Sequence, residues 1–293
     1  MAKEIKVRAP VRVDLAGGWT DCAPFTFDHG GEVVNFAINR YINATMRVDD
    51  DGKLSVEYNS DCPTSSGLGT SGALNVAFLA AISGEGRDSQ EIAELAFQFE
   101  LMLGNRGGRQ DQWAAAGGGF QHLMFHGDNV EILPFEPMKS ATRWLEKHMV
   151  LAYTNISHTS GEIHNGVWKR YDEGDESVHS ALKKLREMAR DVANALNTDR
   201  RDVLIESLRN VSSAIDEMAP ELNDPYRPVV DPLMESKTAL AWKGMGAAAG
   251  GTVAIIANMG KVQDVKDACL DAGWEILDWQ YDNDGLVRQV IET

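Results

Sequence analysis

Cysteine is scarce in this chain. Only Cys22, Cys62 and Cys269 occur among 293 residues, and none stands in C-x-x-C spacing. Such scatter supports neither a zinc site nor a disulfide framework, and reduced, partly buried thiols are expected. Basic residues are outnumbered too: 28 Lys and Arg against 44 Asp and Glu leave a formal net charge of −16. A field of that sign repels phosphate backbones and anionic lipid, so neither nucleic acid nor a membrane is expected as a partner. An anionic ligand would need a local cluster of donors to overcome it. Apolar runs are short of the roughly 18 to 20 residues that span a membrane. The opening Met1-Ala2-Lys3-Glu4 has no signal-peptide pattern, so the expected location is cytoplasmic.

What is present is the balance of a folded globular protein, 43% hydrophobic and 25% charged, with length enough for two cores. The texture changes near Lys147, which divides the chain into expected domains 1–147 and 148–293. In the first, β-rich runs fall at 5–8, 11–15, 33–38, 43–48 and 54–58, with a turn at Asp50-Asp51-Gly52. Two helices are expected next, one from Thr70 with Leu74, Phe78 and Ile82 on a face, one capped near Asp88 or Ser89. Gly117-Gly118-Gly119 breaks the pattern before a hairpin over 120–133. In the second, a strand at 149–153 leads to a helix with the stripe Val178, Leu182, Leu185, Ala189, Val192 and Leu196. Helices over 203–218 and 232–242, a strand at 252–257, a helix at 262–272 and a strand at 274–281 complete an α+β reading.

Three glycine-rich segments concentrate the chemistry. In Pro63-Thr64-Ser65-Ser66-Gly67-Leu68-Gly69-Thr70-Ser71-Gly72-Ala73, glycines and hydroxyls immediately precede an amphipathic helix, whose free N–H groups and dipole favour a phosphate. No Lys follows the last glycine, so this is not a Walker loop. Taken alone, the segment reads either as a phosphate cradle or as a flexible loop ending in a helix cap. The run from Ala9 to Asp21 packs Arg12, Asp14, Gly17, Gly18 and Asp21 into a strand-to-loop transition, and Lys243 to Thr252 is a small-residue loop entering an apolar strand. Both offer close approach to backbone.

The order, residues and separations of these segments, from Ala9 to Thr252, resemble the GHMP kinases, the superfamily named after galactokinase, homoserine kinase, mevalonate kinase and phosphomevalonate kinase. The resemblance implies a two-domain α+β fold: an N-terminal domain with a left-handed βαβ crossover, where general rules expect a right-handed one, and a C-terminal ferredoxin-like domain. It implies ATP and Mg2+ as cofactors, with the nucleotide held by Pro63, Ser65, Ser66, Gly67, Leu68, Gly69, Thr70, Ser71, Gly72 and Ala73. Ser71 and Glu100 take the metal-ligand positions, an all-oxygen set that suits magnesium. Glu100 is near the end of its helix, where a carboxylate opposes the dipole.

In Gly107-Gly108-Arg109-Gln110-Asp111-Gln112, the resemblance makes Asp111 the residue that accepts the acceptor hydroxyl's proton. An ionised carboxylate is a weak base, so orienting the hydroxyl counts as much as deprotonating it. Arg12 and Arg109 are both candidates for neutralising the transferred phosphoryl group; either could instead be a structural ion pair. The acceptor, a monosaccharide, is assigned to Asp14, Gly17, Gly18, Trp19, Thr20, Asp21, Gly246 and Ala247.

The first motif looks like that of fucokinases, and Gly108 to Gln112 like that branch and the heptose-phosphate kinases, both of which phosphorylate the anomeric position. Galactokinases carry Glu where this chain has Gly18. A sugar 1-kinase is the expectation, with L-fucose or a related sugar as acceptor, as a monomer or homodimer. The alternatives are a silent sugar and ATP sensor on the same fold, a heptose 7-phosphate 1-kinase, and a kinase of mevalonate or homoserine, against which Trp19 argues. His158, Thr159, Ser160, Glu162 and His164 form a polar cluster suited to substrate hydroxyls more than to a metal.

Overall fold

A computed structural model describes residues 3–63, 65–83, 86–105, 107–156 and 160–292. The first half runs β1 (Lys3–Ala16), α1 (Phe25–Asp28), β2 (Gly31–Val48), β3 (Leu54–Ser60), α2 (Thr70–Ile82), α3 (Ser89–Met102), α4 (Gln110–Gly117), β4 (Phe120–His126) and β5 (Asn129–Ile132). The second runs α5 (Lys139–His148), β6 (Met149–Tyr153), α6 (Ser160–Asp172), α7 (Glu176–Asn197), α8 (Arg201–Met218), a 3-10 turn at Pro220–Leu222, and α9 (Arg227–Glu235). It ends with β7 (Ala239–Gly244), β8 (Thr252–Ala257), α10 (Val262–Asp271), β9 (Glu275–Leu277) and β10 (Val287–Glu292).

Of the five β-rich runs expected in the first part, the first four form two long strands, β1 and β2, paired antiparallel from Lys3↔Val48 to Ala16↔Val34, and the fifth is β3. Pro10 interrupts the ladder without ending it; the register shifts between Pro10 and Val11, as a residue with no N–H to donate permits. The first sheet has the order β10-β1-β2-β4-β5, and β3 also pairs with β2. β10 is absent from the sequence reading; it returns from the far end of the chain to cover the free edge of β1.

α2 begins at Thr70 as expected, but it buries Gly72, Ala73, Val76, Ala77, Ala80 and Ala81 rather than the face of Leu74 and Ile82. Small side chains let this helix press close to the sheet and to α4. α3 opens with a full capping box between Asp88 and Glu91.

The second sheet is antiparallel with order β7-β8-β6-β9, the ferredoxin-like arrangement. All six residues of the expected stripe on α7 are at or near zero exposure. One helix is corrected. Residues 232–242 hold the end of α9 and the strand β7, because the chain turns at Lys237 (φ 59) and the Ala-Leu-Ala-Trp run pairs with β8. Helix propensity yields there to burial in a sheet. The three cysteines are free and buried. Among the described residues no helix is long and apolar enough to cross a membrane.

Candidate active site

The N-terminal turns of α2 and α4 meet at the wall of a cleft of about 290 Å3. α2 has no side-chain cap: Gly69 occupies the N-cap in left-handed backbone, φ 77, so the first N–H groups of the helix are left for a ligand. Ser65, Gly67, Gly69, Thr70 and Ser71 line the cleft. α4 is absent from the sequence reading, because Arg109-Gln110-Asp111-Gln112 has no apolar period. In the structure Asp111 sits in its first turn, where the dipole favours a carboxylate.

Asp111 packs directly on α2. A Cβ on Gly72 would stand 2.6 Å from Asp111 Cβ, and one on Gly69 3.0 Å from its Cγ. Both positions therefore need glycine for close approach. Arg12, buried in β1, joins the two motifs: Nε and Nη2 lie 2.9 and 2.7 Å from Asp111 Oδ1, and Nη1 donates to the Gly67 carbonyl at 2.7 Å. Its backbone N–H also donates to Leu68 O at 3.0 Å. With these bonds Arg12 orients the carboxylate and the loop together.

Arg109 is not brought to the cleft, contrary to the expectation of a phosphate contact. Its guanidinium donates to Gly127 O and Asp128 Oδ1, lies 3.4 Å from Glu94 and stacks over Phe97 at 4.3 Å. Residues two apart at a helix start face different ways, so closeness in sequence to Asp111 does not bring the side chains together.

Glu100, buried near the end of α3, reaches the cleft beside Ser71. Asn75 Nδ2 donates to its Oε1 at 2.7 Å and Asn105 Nδ2 to Oε2 at 3.0 Å. Burial pushes the Glu100 carboxyl above its usual range, opposed by hydrogen bonds from Asn75, Gln112 and Ser71. The sequence reading missed both asparagines; a polar residue four positions after Ser71 in an otherwise apolar helix was the available signal for Asn75, and none existed for Asn105. Among the described residues no cluster of three His, Cys, Asp or Glu could hold a metal by itself. An oxygen pair such as Ser71 and Glu100 fits a hard cation that keeps waters and shares phosphate oxygens.

The opposite wall comes from the loop after β1. Trp19, in left-handed backbone at φ 77, stacks on His164 of α6 at 4.4 Å, and both line the cleft with Asp21 and Cys22. Asp21 accepts from the Gln110 N–H at 3.0 Å, and a Cβ on Gly108 would stand 1.9 Å from its Oδ2. Burial raises the Asp21 carboxyl to about 7, with the charges of Asp111 and Asp14 adding to the rise.

Several expected contacts are structural instead. Asp14 is fully buried against Lys243, and the Thr20 hydroxyl bonds the carbonyls of Gly17 and Glu32. Gly17 and Gly18 serve backbone approach, a Cβ on Gly17 meeting Glu32 O at 1.9 Å. Ser66, Leu68 and Ala73 are buried, and neither they nor Pro63 lines the cleft. The polar cluster at 158–162 lies outside the residues whose side chains are described; His164 alone can be placed.

The third glycine-rich loop contributes Gly246 and Ala247 to the cleft, but mainly it backs the loop that precedes α2. A Cβ on Gly246 would stand 2.9 Å from Gly67 O, and one on Gly251 2.8 Å from Ser65 O. Thr252 N–H donates to Ser66 O at 2.8 Å. The close approach is backbone to backbone.

Fold and cleft together define a class: a two-domain α+β protein in which an uncapped helix N-terminus faces an arginine-held carboxylate. Comparison with known proteins makes it particular. Residues 33–119 match the family described as "GHMP kinases N terminal domain". A D-glycero-alpha-D-manno-heptose 7-phosphate kinase of Campylobacter jejuni is 29% identical over 249 residues, covering 66% of this chain and 72% of that protein. The bifunctional fucokinase/GDP-fucose pyrophosphorylase of Arabidopsis thaliana is 24% identical over 323 residues, 87% of this chain but only 30% of that protein. Among solved structures, a D-glycero-D-manno-heptose 1-phosphate kinase from Bacteriodes thetaiotaomicron superposes with a TM-score of 0.80 at 21% identity, over 99% of this chain and 100% of that one. Within the chain, residues 33–119 are similar to the GHMP kinase N-terminal domain, and the whole chain shares the fold of the solved heptose 1-phosphate kinase.

Proposed function

We propose that the protein is an ATP-dependent sugar kinase that phosphorylates the anomeric hydroxyl of a monosaccharide. The observation that carries this reading is the packing of Asp111 on the first turn of α2, with Arg12 bonded to both Asp111 and Gly67. A triphosphate gripped by the amides from Gly67 to Ser71 presents its terminal phosphorus to a hydroxyl held at Asp111. The sugar oxygen forms the new bond to phosphorus, the bond from phosphorus to the β,γ-bridging oxygen breaks, and the hydroxyl proton passes to Asp111 and then to water. ADP and a sugar 1-phosphate leave. Ser71 and Glu100 would hold Mg2+, which when bound would supply charge neutralisation at the phosphates. Trp19, Asp21 and His164 bind the sugar, the rings against its apolar face and the carboxyl at its hydroxyls. The similarity to heptose phosphate kinases and a fucokinase supports a sugar as acceptor. We assign the catalytic residues to the first expected domain, 1–147, with His164, Gly246 and Ala247 of 148–293 lining the cleft, and the cytoplasm as the place of action.

The test is ADP release with ATP, Mg2+ and a panel of L-fucose, other free aldoses, a heptose 7-phosphate, mevalonate and homoserine. Turnover with a sugar and a 1-phosphate product supports the reading. Tight binding of ATP and sugar with no turnover on any acceptor makes the protein a sensor, and turnover on mevalonate or homoserine alone replaces the sugar.

A further inference from the structure

One buried ion pair joins the two sheets directly behind the cleft. Lys243 Nζ, at the end of β7, donates to Asp14 Oδ2 of β1 at 2.8 Å and lies 3.3 Å from Gly244 O. Asp14 is wholly buried and Lys243 nearly so. Burial pulls the Lys243 ammonium below its usual range while Asp14 opposes the fall. Asp14 Oδ1 has no hydrogen-bond partner among the described residues, so Lys243 is what compensates this carboxylate.

Each partner is rooted in a different wall. On the acceptor side, Asp14 Oδ2 lies against Gly18, where a Cβ would stand only 2.1 Å away. Trp19 follows in left-handed backbone and stacks on His164, and Asp21 comes two residues later. On the nucleotide side, Lys243 heads the turn whose Met245 carbonyl would stand 2.8 Å from a Cβ on Gly67. The phosphate loop has further anchors of its own in Arg12 and Thr252. The backbone at Gly18 has this pair directly beneath it.

We infer that Lys243, acting through Asp14, is a positioning residue for the acceptor, holding the Gly18-Trp19 backbone where Trp19 and Asp21 meet the sugar. This rests on the proposed sugar kinase activity. Removing the ammonium leaves a buried carboxylate unpaired; the carboxylate must take up a proton or admit water, and either change shifts Gly18.

The test uses the full chain and the best acceptor of the panel. Lys243→Met is expected to raise the acceptor KM by about tenfold or more while the ATP KM stays within about threefold of wild type. The double variant Asp14→Asn with Lys243→Met should recover most of the acceptor KM, because the amide keeps the shape of the carboxylate and neither charge remains. If Lys243→Met does not fold, the same comparison is made between the double variant and Asp14→Asn alone, which leaves the ammonium unpaired and should show the larger acceptor KM. Equal movement of both KM values, or a lowered melting temperature with neither KM changed, overturns the inference and leaves a purely structural pair. A wild-type chain that phosphorylates no sugar overturns the proposed activity itself, which the wild-type assay reports before any variant is made.

Discussion

Both nitrogens that Arg12 turns toward Asp111 end on one oxygen: Nε is 2.9 Å and Nη2 2.7 Å from Oδ1. The carboxylate is thereby held in one orientation by a buried fork while its side chain stays 27% exposed to the cleft. Replacing the fork by a point charge should loosen that orientation. Arg12→Lys is expected to lower kcat by about 10- to 100-fold, on the scale of a small misplacement of a reacting group. A kcat within a factor of two of wild type would mean that turnover does not depend on how the fork orients Asp111.

Asp111→Asn keeps the shape of the side chain and removes its capacity to take a proton. Turnover should fall by more than about 100-fold with the fold intact, as loss of a general base or orienting group entails. Steady-state kinetics beside circular dichroism check this, and a fully active Asn variant removes Asp111 from the chemistry.

Gly72→Ala separates helix stability from function. Alanine is the better helix former by about 1 kcal/mol, yet its Cβ would collide with Asp111 Cβ at 2.6 Å. Activity is expected to drop at least about tenfold as Asp111 is displaced, with circular dichroism unchanged. Retained activity would show that the contact yields without consequence.

Glu100 presents a trade-off between stability and activity. Its carboxyl is raised by burial, so ionising it at neutral pH costs stability that is regained only as pH falls through the carboxylate range. Glu100→Gln should raise the denaturation midpoint at pH 8 while reducing Mg2+-dependent turnover by about 100-fold. The stability gain should shrink toward pH 4. An unchanged dependence on Mg2+ would remove Glu100 from the metal's neighbourhood.

Asp21 titrates near 7 in the folded chain against an ordinary 3.8. Between those values the unfolded chain has lost the proton and the folded chain keeps it, so stability falls as pH rises through the window and levels off above it. Asp21→Asn lacks this term. The stability difference between variant and wild type should therefore move in the variant's favour from about pH 4 to about pH 7, by at most about 1.4 kcal/mol per pH unit. Urea denaturation of both proteins at four pH values measures it, and parallel curves would mean that Asp21 titrates normally.

Local chemistry was legible in the linear chain because it acts over short range. Glycines and hydroxyls before Thr70 announce a helix N-terminus with free amides, Asp88 and Ser89 announce the cap of α3, and an apolar period of 3.6 announces α7. Each depends on neighbours within a few positions. The sequence alone also placed Asp111, Ser71 and Glu100 in one candidate site through the resemblance of its three segments. Only the packed chain decided which arginine reaches Asp111. Arg12 reaches Asp111 across 99 positions, whereas Arg109, two residues away, faces Gly127 and Asp128 because the start of α4 turns it aside. The partnership of Asp14 with Lys243 spans 229 positions, the pairing of β10 with β1 closes the two ends of the chain, and β7 became a strand only because β8 stood beside it. Contacts of that separation carry no periodicity and no local propensity; they exist once burial has brought distant segments together.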